Sequence, residues 1–181
     1  MYKIVVLIVL SLIGSNASAQ NYSPLAVGNK WTFRMPQNSF VDEVIEGTLN
    51  YKGKNYTRCL RKYSWGDTDT LFSRVDERGT LYSLDSKSRQ ETVDIPGELK
   101  IDHTWVSSDG AWRYEIKSLS GTLTTPNDRF ENCLVIKAEQ LTGRDKEKLQ
   151  VYYNYYAKGI GYVGSKLEKG LMAYLEKWEL K

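Results

Sequence analysis

The side chains whose types and spacing could serve a function are aromatic. The chain has 13 tyrosines and 5 tryptophans, and four of the tyrosines fall within the segment 152–156. In an extended strand, Tyr152 and Tyr156 would point to one face and Tyr153 and Tyr155 to the other. At least one pair should then be partly exposed or line a groove, where aromatic rings can bind a glycan or a lipid-like ligand. Tyrosine also simply suits a half-buried pleated surface, so a purely structural role stays open. The candidate ligand-binding residues are Tyr152, Tyr153, Tyr155, Tyr156, Trp65 and Trp112.

Catalytic residues are not evident in the sequence. His103 is the one histidine, so it has no partner histidine for a metal site, and any Ser–His–Asp triad would have to include it. The Gly-x-Ser-x-Gly motif of a nucleophilic serine does not occur. Asp67 and Asp69 resemble the start of a calcium loop, but its twelfth position is Arg78 instead of a glutamate. We therefore expect no enzyme, no metal and no cofactor, with an enzyme of unrecognised type as an alternative.

The N-terminal residues have the order of a secretory signal peptide. Lys3 precedes an apolar run of about ten residues, and a small-residue cleavage site ends at Ala19. The sequence thus predicts a signal peptide over 1–19 and a mature chain from Gln20. The run is shorter than the about 20 residues that span a bilayer, so no integral membrane span is expected in the mature form. We expect a periplasmic or secreted protein.

Export bears on the two cysteines and on the choice of partner. Cys59 and Cys133 are an even pair in an oxidising compartment, which permits a disulfide, although two separate buried thiols are equally compatible with the sequence.

Removing the signal peptide takes away one base, Lys3, and leaves the net charge close to neutral. Such a balance does not favour nucleic acid, whose binding needs a concentrated basic patch.

The elements that would position these residues are strands. Segments rich in aromatic and β-branched residues recur about every eight to twelve positions between turn signals such as Lys52-Gly53 and Glu77-Arg78-Gly79. Short connections favour antiparallel neighbours. Leu171 to Leu180 also fits helical spacing, but Gly170 and the aromatic residues favour a strand. The sequence predicts a single all-β domain over 20–181: a large antiparallel meander of about eleven strands, curled into a half-open barrel or clamshell.

Alternation of side chains predicts a sheet with one solvated face. Tyr114 and Ile116 alternate with charged residues along one segment, and Leu134 and Ile136 alternate with Lys137 and other residues along another. One apolar and one polar face is typical of an antiparallel sheet that covers a core on one side only.

Two motifs together resemble a known group. They are Tyr22 to Trp31, which contains Pro24 and Gly28, and Tyr155 to Val163, which contains Gly159 and Gly161. In this order they resemble uncharacterised exported bacterial proteins, a domain of unknown function related to TapB-like proteins, whose structures are all-β and YmcC-like. Lys158 stands where the group's usual pattern has proline. The resemblance implies the fold and export, and it supplies no catalytic residues.

The expected function follows from aromatic excess without catalytic motifs. We expect a non-enzymatic protein of the cell envelope or secreted space that binds an unknown small molecule, glycan or lipid-like, on a concave aromatic face. The alternative is a structural or assembly component that binds another envelope protein through a sheet edge.

Overall fold

The structure is a computed structural model that describes residues 22–143, 150–168 and 170–181. The predicted signal peptide over 1–19 and the predicted mature start at Gln20 lie outside the described residues. Within the described part of the chain, no helix has the length and apolar character needed to cross a membrane.

All regular structure in the described residues is extended. Twelve strands are present instead of about eleven, and the segment from Gly170 is a strand as expected. They are β1 (Lys30–Arg34), β2 (Ser39–Tyr51), β3 (Lys54–Tyr63), β4 (Thr68–Val75), β5 (Leu81–Leu84), β6 (Glu91–Ile95), β7 (Thr104–Val106), β8 (Trp112–Thr124), β9 (Arg129–Gln140), β10 (Val151–Ala157), β11 (Gly161–Leu167) and β12 (Gly170–Glu179).

The strands form one antiparallel sheet. Its order is β6-β5-β4-β3-β2-β1-β12-β11-β10-β9-β8-β7, so sequence neighbours pair everywhere except between β6 and β7. The first strand, β1, pairs with the last, β12, in the middle of the sheet. The antiparallel all-β meander is confirmed, and its open sheet matches the expected half-open barrel.

Turn chemistry sets the hairpins that the sequence indicated. Lys52 and Gly53 both have positive φ, at 51° and 73°, which matches the right-handed twist of the β2–β3 hairpin. In the β4–β5 turn, Gly79 has φ of 78°, and the Asp76 carboxylate accepts hydrogen bonds from the backbone N–H groups of Arg78 and Thr80.

The strand β9 departs from the simple one-sided pattern. Its residues 133 to 136 are all buried. Leu134 and Ile136 belong to one apolar cluster with Ile95 and Ile116, whereas Cys133 belongs to a second cluster with Phe33 and other residues. Because the sheet is covered on both faces at β9, the expected solvated face is absent at this strand.

The two motifs that carry the family resemblance pack against each other. Trp31 Nε1 donates a hydrogen bond to the carbonyl oxygen of Ile160 over 2.8 Å. Gly161 has φ of 101°, and a Cβ there would lie 3.4 Å from Pro24 Cδ and 3.5 Å from the Tyr22 carbonyl oxygen. Tyr22 itself is buried. Both motifs therefore have a structural role, which is to join the start of the described chain to the β10–β11 turn.

Cys59 and Cys133 are free thiols in the structure, so the disulfide that the even count permits is not formed. Cys133 is fully buried in a core cluster, and Cys59 is half-buried. Burial raises the pKa of Cys59 to about 12 and that of Cys133 to about 11. Both are therefore protonated at neutral pH and act as small apolar side chains.

Candidate functional site

The two end strands of the sheet are joined by side chains where they face each other. Trp105 Nε1 on β7 donates a hydrogen bond to the Val93 carbonyl oxygen on β6 over 2.8 Å. The hydroxyl oxygens of Thr92 and Ser108 lie 2.8 Å apart. Because these side-chain bonds replace a strand ladder, the barrel has a seam at β6 and β7 where the backbone does not close it.

A cavity of about 430 Å³ opens at this seam. Its described lining combines hydroxyl groups, carboxylates and two aromatic rings, and its size is in the usual range for small-molecule sites. We call it the seam cleft. Its lining residues include Ser83, Thr92, Asp94, Ser107, Trp112 and Tyr114.

A β-bulge aims Asp94 into the cleft. In the β5–β6 pair, Leu81 lies opposite Ile95 and Tyr82 lies opposite Val93, which leaves Asp94 as the extra residue. An extra residue of this kind redirects a side chain. Asp94 Oδ1 accepts a hydrogen bond from Ser83 Oγ over 2.9 Å. Desolvation raises the pKa of Asp94 to about 6, because burial penalises the charged form and the Ser83 bond only partly offsets it.

A second cavity of about 230 Å³, the inner chamber, adjoins the seam cleft at Asp94. The chamber contains an ion pair between Asp42 on β2 and Arg61 on β3, with two contacts of 2.7 Å. Burial alone would lower the pKa of Arg61, but the hydrogen bonds and charge of Asp42 raise it above its ordinary value. The guanidinium also lies 4.3 Å from the centroid of the Phe40 ring. This bidentate pair is neutral overall and its charge is already matched.

Tyrosines surround the two cavities and remain protonated. Tyr156 and Tyr162 line the inner chamber, with their rings edge-on at 5.7 Å. Burial raises the pKa of Tyr162 to about 12, and it raises the pKa of Tyr156 well above its ordinary value. Tyr114 stacks on Trp105 at 5.5 Å, and burial raises its pKa as well. At neutral pH these phenols are uncharged.

The structure separates the six residues singled out from the sequence. Trp112 lines the seam cleft. The Tyr152 ring contacts the Trp112 ring edge-on, with 5.4 Å between the ring centroids. Tyr156 lines the inner chamber. By strand alternation, Tyr153 and Tyr155 lie on the opposite face of β10, where Tyr155 packs against a core cluster.

Trp65 lies apart from both cavities. It occupies the β3–β4 turn, is 50% exposed, and stacks on Tyr63 at 4.3 Å. Its Nε1 donates to Asp67 over 2.7 Å. These contacts give Trp65 a structural role within the β3–β4 turn.

The sequence reasoning missed the polar residues of the cavities. Asp42 lies midway between Phe40 and Val44, which are buried on the same face of β2. Because alternate residues of a strand share a face, an aspartate between two inward apolar residues is predicted to point inward as well. Asp94 gives a weaker signal, because only the bulge places it inside.

His103 lies outside both cavities. His103 is half-buried beside Trp105, at 5.9 Å between ring centroids, and lines neither cavity. In residues 22–143, 150–168 and 170–181, no three His, Cys, Asp or Glu side chains lie close enough to share a metal ion.

These features define a class of protein: an antiparallel sheet curled into a half-open barrel, with a polar and aromatic cleft at its seam. Two solved structures have this fold. One is a Bacteroides fragilis protein described as a candidate exported protein with a YmcC-like fold, with a TM-score of 0.57 and 14% identity over 88% of this chain and 99% of that chain.

The other is a candidate lipoprotein from Parabacteroides distasonis, with a TM-score of 0.54 and 12% identity over 87% of this chain and 98% of that chain. The YmcC-like fold implied by the two sequence motifs is therefore confirmed. No family model matches the chain. No curated protein matches it either.

Proposed function

We propose that the chain is an exported, non-enzymatic binding protein that holds a small saccharide-like ligand in the seam cleft. The observation that carries this proposal is the composition of the cleft, in which the rings of Trp112 and Tyr114 lie among hydroxyl and carboxylate groups. Aromatic faces stack on the apolar side of a sugar ring, and the polar groups bind its hydroxyls.

The polarity of the lining favours a saccharide over a lipid-like ligand. The hydroxyls of Ser83, Thr92 and Ser107 already bond to other side chains of the lining. Asp94 Oδ2 has no partner among the described residues, and an acyl chain would remove it from water without supplying a hydrogen bond. Burying polar groups without hydrogen-bond partners costs about 1–3 kcal/mol each. A hydroxyl-rich ligand would supply hydrogen bonds in place of those to water, so its binding avoids that cost.

Export is supported by two independent observations. The order of a base, an apolar run and a small-residue site over 1–19 is that of a signal peptide. The two proteins of like fold are described as a candidate exported protein and a candidate lipoprotein.

A binding role is favoured over hydrolysis by the state of the carboxylates. Glycosidases use two carboxyl groups that both face the scissile bond. Asp85 and Asp109 also line the cleft. Asp85 accepts hydrogen bonds from the backbone N–H groups of Lys87 and Ser88, and Asp109 accepts them from Ala111 N–H and the Ser107 hydroxyl. Backbone N–H groups of their own turns thus orient Asp85 and Asp109, whereas Asp94 is bound among the described residues only by the Ser83 hydroxyl.

Binding of another envelope protein through a sheet edge is the weaker candidate. Val106 on the end strand β7 is 52% exposed, which favours it. The end strands β6 and β7 have only five and three residues, however, and Trp105 already bonds across them. Short, bridged edges offer little backbone for strand addition.

Tryptophan fluorescence titration with a panel of oligosaccharides and fatty acids tests the proposal. We expect saturable binding of at least one saccharide and no saturable binding of fatty acids. Trp112→Ala should weaken that binding by at least about tenfold, since hot-spot aromatic residues contribute this much. Trp65→Ala is the matched control and should leave it unchanged. The proposal fails if no saccharide binds, or if both variants bind as the parent does.

A further inference from the structure

The seam cleft has a charge opposite to that of the whole chain. The chain carries a net charge of +3 at pH 7. The described lining of the cleft contains three carboxylates, Asp85, Asp94 and Asp109, and neither lysine nor arginine. Bases line the adjoining cavities instead: Lys87 lines one that also includes β4 residues, and Arg61 lines the inner chamber. Such a concentration of one sign in a concave surface attracts ligands of the opposite sign.

Two of the three carboxylates are held in the charged form. Hydrogen bonds from Ser88 and the backbone N–H of Lys87 lower the pKa of Asp85. The hydroxyl of Ser107 and the backbone N–H of Ala111 lower the pKa of Asp109. Both side chains belong to residues exposed at the mouth of the cleft. They therefore keep a negative potential at its entrance at neutral pH.

Asp94 is the acceptor deeper in the cleft. Among the described residues, Ser83 is its one side-chain hydrogen-bond partner, and it occupies only Oδ1. Within the part of the chain that the structure describes, no lysine or arginine pairs with Asp94, whereas Asp42 is paired with Arg61. The Trp112 and Tyr114 rings line the same cavity, and aromatic faces attract cations. A half-buried carboxylate without a counter-ion among the described residues, beside aromatic rings, is the chemistry that receives an ammonium group.

We propose that the seam cleft selects saccharides that carry a protonated amine, whose ammonium group pairs with Asp94. This inference rests on the proposed saccharide binding and adds the charge of the ligand. An organic cation is favoured over a metal ion because, in the described residues, the carboxylates do not converge on one point.

Isothermal titration calorimetry with three matched probes tests it. The probes are the β-1,4-linked dimers of glucosamine, N-acetylglucosamine and glucose, which share a skeleton and differ in charge. At pH 6.5 and low salt, we expect the glucosamine dimer to bind at least about tenfold more tightly than either neutral dimer, the factor typical of a charge-assisted pair. Raising the salt concentration should narrow that difference, because the mouth carboxylates are screened.

Two variants distinguish Asp94 from general electrostatics. Asp94→Asn should weaken binding of the glucosamine dimer by at least about tenfold and change binding of the neutral dimers little. Asp128→Asn removes the same charge from the exposed β8–β9 turn and should leave all three unchanged.

Each outcome decides between the two proposals. Equal binding of all three dimers would overturn amine selection and leave saccharide binding in place. Tight binding of the glucosamine dimer that survives Asp94→Asn would overturn the role of Asp94. Failure of every dimer to bind would overturn the amine inference together with its basis.

Discussion

Two carboxylates of β6, three residues apart, have opposite surroundings. Glu91 accepts hydrogen bonds from Tyr56 Oη at 2.6 Å, Arg74 Nε at 2.6 Å and Lys54 Nζ at 2.7 Å. Asp94 accepts one, from Ser83. The partners of Glu91 come from β4 and β3, which lie two and three positions from β6 in the sheet. The β5–β6 bulge directs Asp94 into the cavities instead.

The contrast is visible in the protonation of the two groups. Burial would raise the pKa of Glu91, but its bonds to Arg74, Lys54 and Tyr56 lower it to about 2. Desolvation raises the pKa of Asp94 to about 6. Glu91 thus stabilises the fold as an ion, whereas ionised Asp94 costs stability and is retained where a ligand could reach it. A carboxylate that several bases neutralise indicates a structural role, whereas a desolvated carboxylate without a counter-ion indicates a candidate site.

The largest expected effect comes from breaking the Glu91 network. Glu91→Gln removes the charge that Arg74 and Lys54 share, and we expect a loss of about 2 kcal/mol in the free energy of unfolding at pH 7. Because the pKa of Glu91 is lowered in the folded state, its contribution is present above pH 4.5 and is lost as the pH falls toward 2. Urea denaturation at pH 7 and pH 3 should show the difference between variant and parent shrinking at pH 3.

The matched control for this variant is Glu131→Gln. Glu131 pairs with Arg129, but both side chains are more than 60% exposed. Exposed pairs contribute about 0–1 kcal/mol, so a small change is expected. An equal loss in both variants would show that the Glu91 network has no special weight.

Asp94→Asn should have the opposite sign. The pKa of Asp94 is raised from 3.8 to about 6 in the folded state, so its contribution falls as the pH rises through that range. We expect the variant to be more stable than the parent by about 2 kcal/mol at pH 8 and by about 0.5 kcal/mol at pH 4. Thermal or urea denaturation at the two pH values measures this. A difference that does not depend on pH would mean that Asp94 is not desolvated.

The smallest effect is expected for Lys54→Gln. The Lys54 side chain is 47% exposed, and solvent screens its attraction to Glu91. Arg74, whose side chain is only 12% exposed, remains as the principal partner. We expect a loss below about 0.5 kcal/mol at pH 7 by urea denaturation. A loss as large as that of Glu91→Gln would mean that Lys54, and not Arg74, is the partner through which Glu91 mainly stabilises the fold.

Local rules predicted most of the fold. The positive φ at Gly53 and Gly79 follows from glycine in short turns, and period-2 patterns locate the strands. Alternation does not locate the end of β8, because register shifts around Ser118 and Gly121 break the two-residue period there. A bulge adds one residue to a strand, so the two-residue period is lost beyond it.

The candidate site was predicted less well than the fold. Trp112, Tyr152 and Tyr156 lie at the cavities or beside them, but the same aromatic signal also selected Trp65, which stacks in a turn. Aromatic residues suit both core and binding surface, so type and spacing do not separate the two.

The sequence by itself determined the strands, their antiparallel hairpins and, through two motifs, the YmcC-like fold. Only the tertiary structure decided that β1 pairs with β12 and that β6 faces β7 across a seam. Alternation assigns side chains to two faces, but the direction in which the sheet curls decides which face encloses a cavity. The position of Asp94 depends on both the bulge and that curl, and for this reason the carboxylate proposed to pair with the ligand was not apparent from the sequence.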